Sequence, residues 1–342
     1  MRDTFRNFNQ YKIDPLTEIR NAGIVTNGQV YWVSSESDSD HRQRTDDLGN
    51  TYVKTSLASA MSAVETNAND YVLVVPTDGG TARRLGTAFD VNKNRVHVLG
   101  VGYKPVPQTY AGLTFDGYAV ASGVDTELVM VSAGGVEIGG LRFLGTSGTH
   151  ANGTVTATFR AGTSSTGTPH DLWLHDLQIE SNQAAAANGT APVFEVTGDV
   201  GSGISGLRVD RGWIGNWSWA PTPLVNFAGT AGPTRFEFRD CMFVIDAQAT
   251  TDRFITTGTG VTEYGFFKNC DFLNVEAGTL PASALTGALL VDNPILLRNC
   301  SYINVTQAGT DTEAYKSPAS SGTQAAVFDY GISIGTAAIA PV

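Results

Sequence analysis

A chain of 342 residues with a net charge of −11 at pH 7 repels a phosphate backbone, so nucleic acid is excluded as a partner. It contains no long uninterrupted apolar run, so no membrane-spanning helix is expected and the membrane is excluded as well. Only 16% of residues are charged, 42% are apolar and 38 are glycine, which suits short strands and tight turns better than helical bundles.

Residues 1–29 mix charge with scattered aromatics (Phe5, Phe8 and Tyr11) and show no periodicity. They read as an N-terminal arm for docking along the chain's own domain or onto a neighbour. The first residues, Met1 to Arg6, lack the apolar stretch of a secretory signal, so synthesis in a reducing cytoplasm is expected. Residues 30–70 begin with a short strand, Val30–Val33, and continue through a polar loop, Ser34–Asn50. The acidic side chains of that loop, Glu36, Asp38, Asp40, Asp46 and Asp47, read as solvated rather than as calcium ligands. A helix is predicted over 55–66, with Thr55 or Ser56 as N-cap and Leu57, Ala60, Met61 and Val64 forming one apolar stripe. That stripe is expected to cover the open end of whatever follows, since an uncovered sheet edge invites aggregation.

From residue 71 a pattern of two short alternating stretches joined by a turn residue recurs at seven places, every 29 to 40 residues. The turn residues are Gly100, Gly140, Asp176, Gly206, Asp240, Asn269 and Asn299. Alternation with period two defines a half-buried strand, and a one-residue slip at the turn forces a bend rather than a register shift. Gly, Asn and Asp tolerate the left-handed backbone of such a bend. A third strand precedes each motif, as in Leu128–Val131, Val155–Phe159, Val193–Val196, Leu224–Phe227, Phe254–Thr256 and Ala288–Val291. Three short strands per coil of about 30 residues define a right-handed parallel β-helix, an all-β solenoid, over 71–335. Its stacked coils would form a prism of roughly 40 Å. Residues 336–342 form a small-residue tail.

Stacking predicts three internal columns. One runs Val98, Ile138, Leu174, Ile204, Phe238, Phe267, Leu297; a second runs Tyr103, Phe143, Ile179, Val209, Phe243, Phe272, Tyr302. The third runs Val101, Leu141, Leu177, Leu207, Cys241, Cys270, Cys300, so every cysteine of the chain sits on one ladder. Three thiols in an apolar ladder read as small core hydrophobes, not as a metal site. Asn269 and Asn299, beside Asp240, are expected to form a side-chain ladder at the bend.

Candidate functional residues lie on the outside. The column before the bend is read as Leu99, Gly139, His175, Ser205, Arg239, Lys268, Arg298. Stacked cations Arg239, Lys268 and Arg298 repel one another at strand spacing. They therefore point either to an acidic sugar or acidic protein face, or to salt bridges with Glu237, Asp240 and Asp271. Trp213, Trp217 and Trp219, in an excursion between 209 and 235, suit sugar stacking, loop packing or anchoring of a partner. His170-Asp171 and His175-Asp176 resemble acid–base pairs, but neighbours on a strand face opposite ways and no working dyad is expected. No catalytic set, cofactor or metal is assigned.

The ordered series Val30-Tyr-Trp-Val-Ser-Ser, Ser56-Leu-Ala-Ser-Ala-Met-Ser-Ala-Val, Asn69-Asp-Tyr-Val-Leu-Val-Val-Pro76 and Val96-His-Val-Leu-Gly-Val-Gly102 resembles the opening of pectin-lyase-like right-handed β-helix proteins. The versions it is most similar to are encoded in bacteriophage structural gene clusters. The chain departs from the enzymes of that family at Thr77-Asp78-Gly79-Gly80, where they carry Pro-Gly-x-Tyr. The resemblance implies a virion protein made in the host cytoplasm, most simply a head decoration, cement or spike subunit. Other virion proteins, above all the major capsid protein, would be its partners, and a homo-oligomer, in the form of a trimer, is the expected assembly. The alternative it leaves open is a tailspike-like receptor-binding protein or a depolymerase of host surface polysaccharide, by lyase or hydrolase chemistry.

Overall fold

The computed structural model describes residues 28–36, 41–49, 51–80, 82–85, 88–101, 112–116, 126–146, 155–162, 170–182, 192–198, 204–215, 223–229, 234–247, 252–257, 263–275, 285–287, 295–303 and 327–329. These residues form three sheets of eleven, eight and seven strands. Each coil feeds one strand to each sheet in turn. Trp173–His175 joins the first sheet, Gln178–Asn182 the second and Phe194–Gly198 the third, before Arg208–Asp210 returns to the first. Their neighbours in each sheet run parallel to them. The chain is therefore a right-handed parallel β-helix, as the repeat predicts.

Most of the predicted columns stand. Val98, Ile138 and Leu174 are successive register partners in the first sheet, as are Phe238, Phe267 and Leu297. The fourth coil differs. Its rung is Val209, paired with Leu174 and Phe238, and not Ile204. Ile214 takes the place expected of Val209 in the second sheet. Gly212 takes that of Leu207, since the Met242 amide donates to its carbonyl at 2.9 Å. The error has a physical source. The bend of this coil is made by Arg211 at φ 52°, a residue type that does not announce a turn, whereas Gly206 at φ 79° belongs to a different corner. The first motif shifts too. Val101 packs with the outer apolar cluster, while Leu113 and Phe115 fill the inner columns; Tyr103 lies outside the described residues.

Two left-handed corners flank the first sheet. The one after it comprises Gly140, Asp176, Arg211, Asp240, Asn269 and Asn299, all at φ between 52° and 68°. The one before it, which the sequence pattern does not mark, comprises Arg95, Gly135, Asp171, Gly206 and Arg235. Gly100 serves another purpose: a Cβ there would lie 2.1 Å from the Gly140 carbonyl oxygen, so glycine permits close approach of two coils. The expected corner ladder is present. Asn299 Nδ2 donates to Asn269 Oδ1 at 3.3 Å, and Asn269 Nδ2 donates to Asp240 Oδ1 at 2.9 Å.

In the third sheet the expected strands occur with small changes of limits, for example Thr126–Val131 and Val225–Gly229. The last described one is Leu285–Gly287; the predicted Ala288–Val291 lies outside the described residues. Val327–Asp329 adds an eleventh strand to the first sheet against Ile295–Leu297.

The predicted polar loop holds a helix, α1, His41–Leu48. Thr45 Oγ1 donates to the His41 carbonyl at 2.9 Å, and Leu48 packs on an outer apolar cluster of Val30, Trp32, Val53, Tyr71, Leu73 and Val75. One apolar contact at the end of a polar segment leaves no amphipathic period to read. Helix α2, Leu57–Ala63, is the capping helix. Ser56 and Ser59 form a reciprocal capping box. Leu57, Ala60, Met61 and Val64 are buried against the end of the core.

Phenylalanines fill the core of the later coils. Phe238 and Phe267 stack at 5.0 Å with planes 10° apart, and Phe243 and Phe272 at 4.9 Å and 7°. Beside them, Cys241, Cys270 and Cys300 are buried free thiols on adjacent rungs. The Asp271 amide donates to the Cys241 carbonyl and the Ser301 amide to that of Cys270, both at 2.9 Å. Burial and then contact with Cys241 push the Cys270 thiol up. Contact with Cys270 and then burial do the same for Cys300. All three are buried, and for Cys270 and Cys300 the reactive thiolate is also disfavoured, so none is expected to react with an aromatic disulfide reagent before unfolding. Absorbance titration should count three equivalents per chain, but only in denaturant.

Candidate functional site

The outer face of the first sheet carries the richest chemistry among the described residues. Strand alternation sets two outward columns along it. The first runs Tyr71, His97, Glu137, Trp173, Arg208, Glu237, Phe266 and the second Leu99, Gly139, His175, Asp210, Arg239, Lys268, Arg298. Asp210 occupies the position the sequence reading gave to Ser205, because of the same slip in the fourth coil.

A continuous chain of ionisable groups crosses the middle of this face. His97 Nδ1 lies 2.6 Å from Glu137 Oε2, and Glu137 Oε1 lies 2.9 Å from His175 Nε2. His175 Nδ1 then reaches Asp176 Oδ2 at 2.8 Å. Arg211 closes the chain with Nε and Nη2 each 2.7 Å from Asp176 oxygens. The Tyr71 ring stacks on His97 at 4.3 Å. Gly139 leaves the room that His175 needs, since a Cβ there would fall 2.2 Å from the ring.

Contact between His175 and Asp176 overturns the expectation that adjacent residues face apart. Asp176 is the left-handed corner residue, at φ 52°. The corner breaks the period-two alternation and swings its carboxylate back over the sheet.

These contacts fix the charge states. Burial opposes ionisation of Glu137, but hydrogen bonds from His175 and His97 outweigh it and bring the carboxyl down to about 2. Burial likewise opposes a charged His175, yet the bonds to Asp176 and Glu137 prevail and hold the ring up at about 9. For Asp176 burial is outweighed by the bonds from Arg211 and His175, which keep it well below the usual carboxylate range. His175 is therefore an imidazolium donating from both nitrogens at neutral pH.

The next coils repeat the pairing. Arg208 Nε lies 2.6 Å from Asp210 Oδ2, which also accepts from Trp173 Nε1 at 2.8 Å. The Arg208 guanidinium sits 5.5 Å from the centre of the Trp173 ring, a cation–π contact. Trp173 is 38% exposed, on the outward side that alternation beside the inner Leu174 assigns to it. Arg239 pairs with Glu237, which is the bridging alternative of the sequence reading. Lys268 and Arg298 complete the predicted cation column, and neither side chain has a carboxylate partner among the described residues. Beside them Arg235, Phe236, Glu237 and Phe266 line a shallow pocket of about 310 Å³.

Trp213 lies elsewhere, in the second-sheet strand Trp213–Gly215, where it is buried with its ring over Gly215. Trp217 and Trp219, and Phe5, Phe8 and Tyr11 of the arm, lie outside the described residues. The other two sheets carry their own ion pairs, Arg142 with Glu180 on the second and Arg160 between Glu127 and Glu195 on the third. Among the described residues no group of three or more His, Cys, Asp or Glu is placed to hold a metal. No helix among them is long and apolar enough to cross a membrane.

Fold and face together define a right-handed parallel β-helix whose broad first sheet is laced by cross-coil ion pairs. No family model and no curated protein matches the chain. Among solved structures it is similar to pectin methylesterase PemA from Erwinia chrysanthemi, at 11% identity over 84% of this chain and 81% of that one, TM-score 0.47. Pectate lyase Pel9A is similar at 11% identity over 91% and 82%, TM-score 0.47. ORF18 of Geobacillus virus E2 is similar at 10% identity over 74% and 56%, TM-score 0.32. These likenesses concern the fold.

Proposed function

We propose that the chain is a structural protein of a bacteriophage particle: a rigid β-helix displayed on the head as a decoration, cement or spike subunit and bound to capsid protein. One observation carries the reading. On the most chemically endowed face, Glu137, Asp176, Asp210 and Glu237 are each committed to a cation, His175, Arg211, Arg208 and Arg239 in turn. His175 is held charged between two carboxylates. A general base must accept a proton near neutrality, and here His175 keeps its own while Glu137 does not take one up. The bonds of Glu137 to His97 and His175, of Asp176 to Arg211 and of Trp173 to Asp210 tie successive coils together and give stiffness, the property a displayed solenoid needs. The sequence of opening motifs supports the phage setting.

A second reading, binding or cleavage of host surface polysaccharide, draws on the exposed Trp173 ring, which suits sugar stacking. Electron microscopy of the parent particle, combined with reducing-sugar and unsaturated-product assays on host capsule and lipopolysaccharide, decides between them. Density for the β-helix on the head with no turnover is the expected result. Turnover, or a position at the tail tip, would overturn it.

A further inference from the structure

The first-sheet face changes character along its length. From His97 to Arg239 every charged side chain in its two outward columns has an opposite charge within reach. The next two rungs of the second column, Lys268 and Arg298, are register neighbours and have no such partner among the described residues. Like charges stacked at strand spacing, about 4.8 Å, repel. The chain has 33 acidic residues against 22 basic ones and has not placed an acid here as it did one coil earlier at Glu237.

The surroundings are those of a protein contact. Phe266 stands in the neighbouring column and shares a pocket of about 310 Å³ with Arg235, Phe236 and Glu237, a space that takes one large apolar side chain. Exposed Trp173, backed by Arg208, lies further along the same face. Aromatic rings and Arg at a pocket are what interface hot spots are made of, with charge setting the choice of partner.

We infer that Lys268, Arg298 and the Phe266 pocket form a docking surface for an acidic partner protein that inserts one apolar or aromatic side chain beside its carboxylates. The occupant is a different protein whose local acidic patch complements these two cations, and self-association of this chain is a separate outcome of the test. The inference rests on the displayed-rod reading only in taking the partner to be another protein of the particle.

The test uses the full chain and a random copolymer of glutamate and tyrosine as probe, with polygalacturonate as the carbohydrate arm, followed by fluorescence anisotropy at two salt concentrations. Binding of the copolymer should weaken at least tenfold in K268E/R298E, weaken severalfold in Phe266→Ala, and fall with added salt. K268A/R298A serves if charge reversal impairs folding, which circular dichroism reports. Equal binding by the native chain and these variants would overturn the inference. So would preference for polygalacturonate with the same charge dependence, or self-association that these substitutions abolish. The particle location and turnover assays are independent of this measurement, so failure of one is distinguishable from failure of the other.

Discussion

Replacing Phe238 with alanine is expected to destabilise the fold by about 3–5 kcal/mol, the largest effect of any single truncation considered. Phe238 is fully buried and stacks on Phe267 at 5.0 Å, while Phe236, Phe243 and Phe194 meet it at 6.2, 5.6 and 6.4 Å. Rings from three coils and from different sheets converge there. Backbone hydrogen bonds hold those coils at fixed spacing, so the walls cannot collapse into the space the ring leaves, and the cavity term adds to the transfer term. Phe238→Leu should cost far less because it keeps most of the volume. Urea unfolding checks both. Because solenoid stability is a sum of neighbour interfaces, hydrogen exchange should show the loss first in the strands of the same coils. A Phe238→Ala variant as stable as the native chain would mean that these coils are not packed as described.

The second large effect concerns Glu137, which bridges His97 and His175 across coils. Glu137→Ala removes two charge-assisted bonds and leaves His175 with one carboxylate. The expected loss is about 1.5–3 kcal/mol at pH 6, reduced toward the lower figure by the partial exposure of the pair. The pH dependence has a defined sign. His175 is raised from 6.5 to about 9, so its contribution is complete below pH 6.5 and lost as pH rises through 9. Glu137 is lowered from 4.5 to about 2, so its contribution is complete above pH 4.5 and lost as pH falls through 2. Stability from this pair should be greatest between pH 4.5 and 6.5. Glu137→Ala should flatten both flanks, as read from unfolding midpoints across pH 2–10.

Much of this architecture was legible because a solenoid repeats its signals. The cysteine column and the Asn269–Asn299 ladder follow from turn residues whose chemistry permits a left-handed bend. Legibility failed where a residue without that chemistry took the bend. Arg211 turns the fourth coil, so the pattern shifted to Gly206 and carried Ile204, Leu207 and Ser205 into places that Val209, Gly212 and Asp210 occupy. Arg95 and Arg235 hid the second corner in the same way.

The candidate site was legible in part. Arg239, Lys268 and Arg298 followed from strand spacing alone. The His97–Glu137–His175–Asp176–Arg211 chain did not. It depends on residues from different coils and on a corner residue that breaks alternation, and neither is encoded by local periodicity. Alternation beside the inner Leu174 already places Trp173 outward, but its contacts with Arg208 and Asp210 come from the next coil and have no local signal.

Nitrogen-detected NMR of the imidazole rings across pH 6 to 10 tests the claim on which the structural reading rests, that His175 is a fixed cation locking three coils. The account predicts that His175 stays doubly protonated through pH 8 and titrates near 9. A ring that loses its proton near 6.5, as a free histidine does, would contradict it.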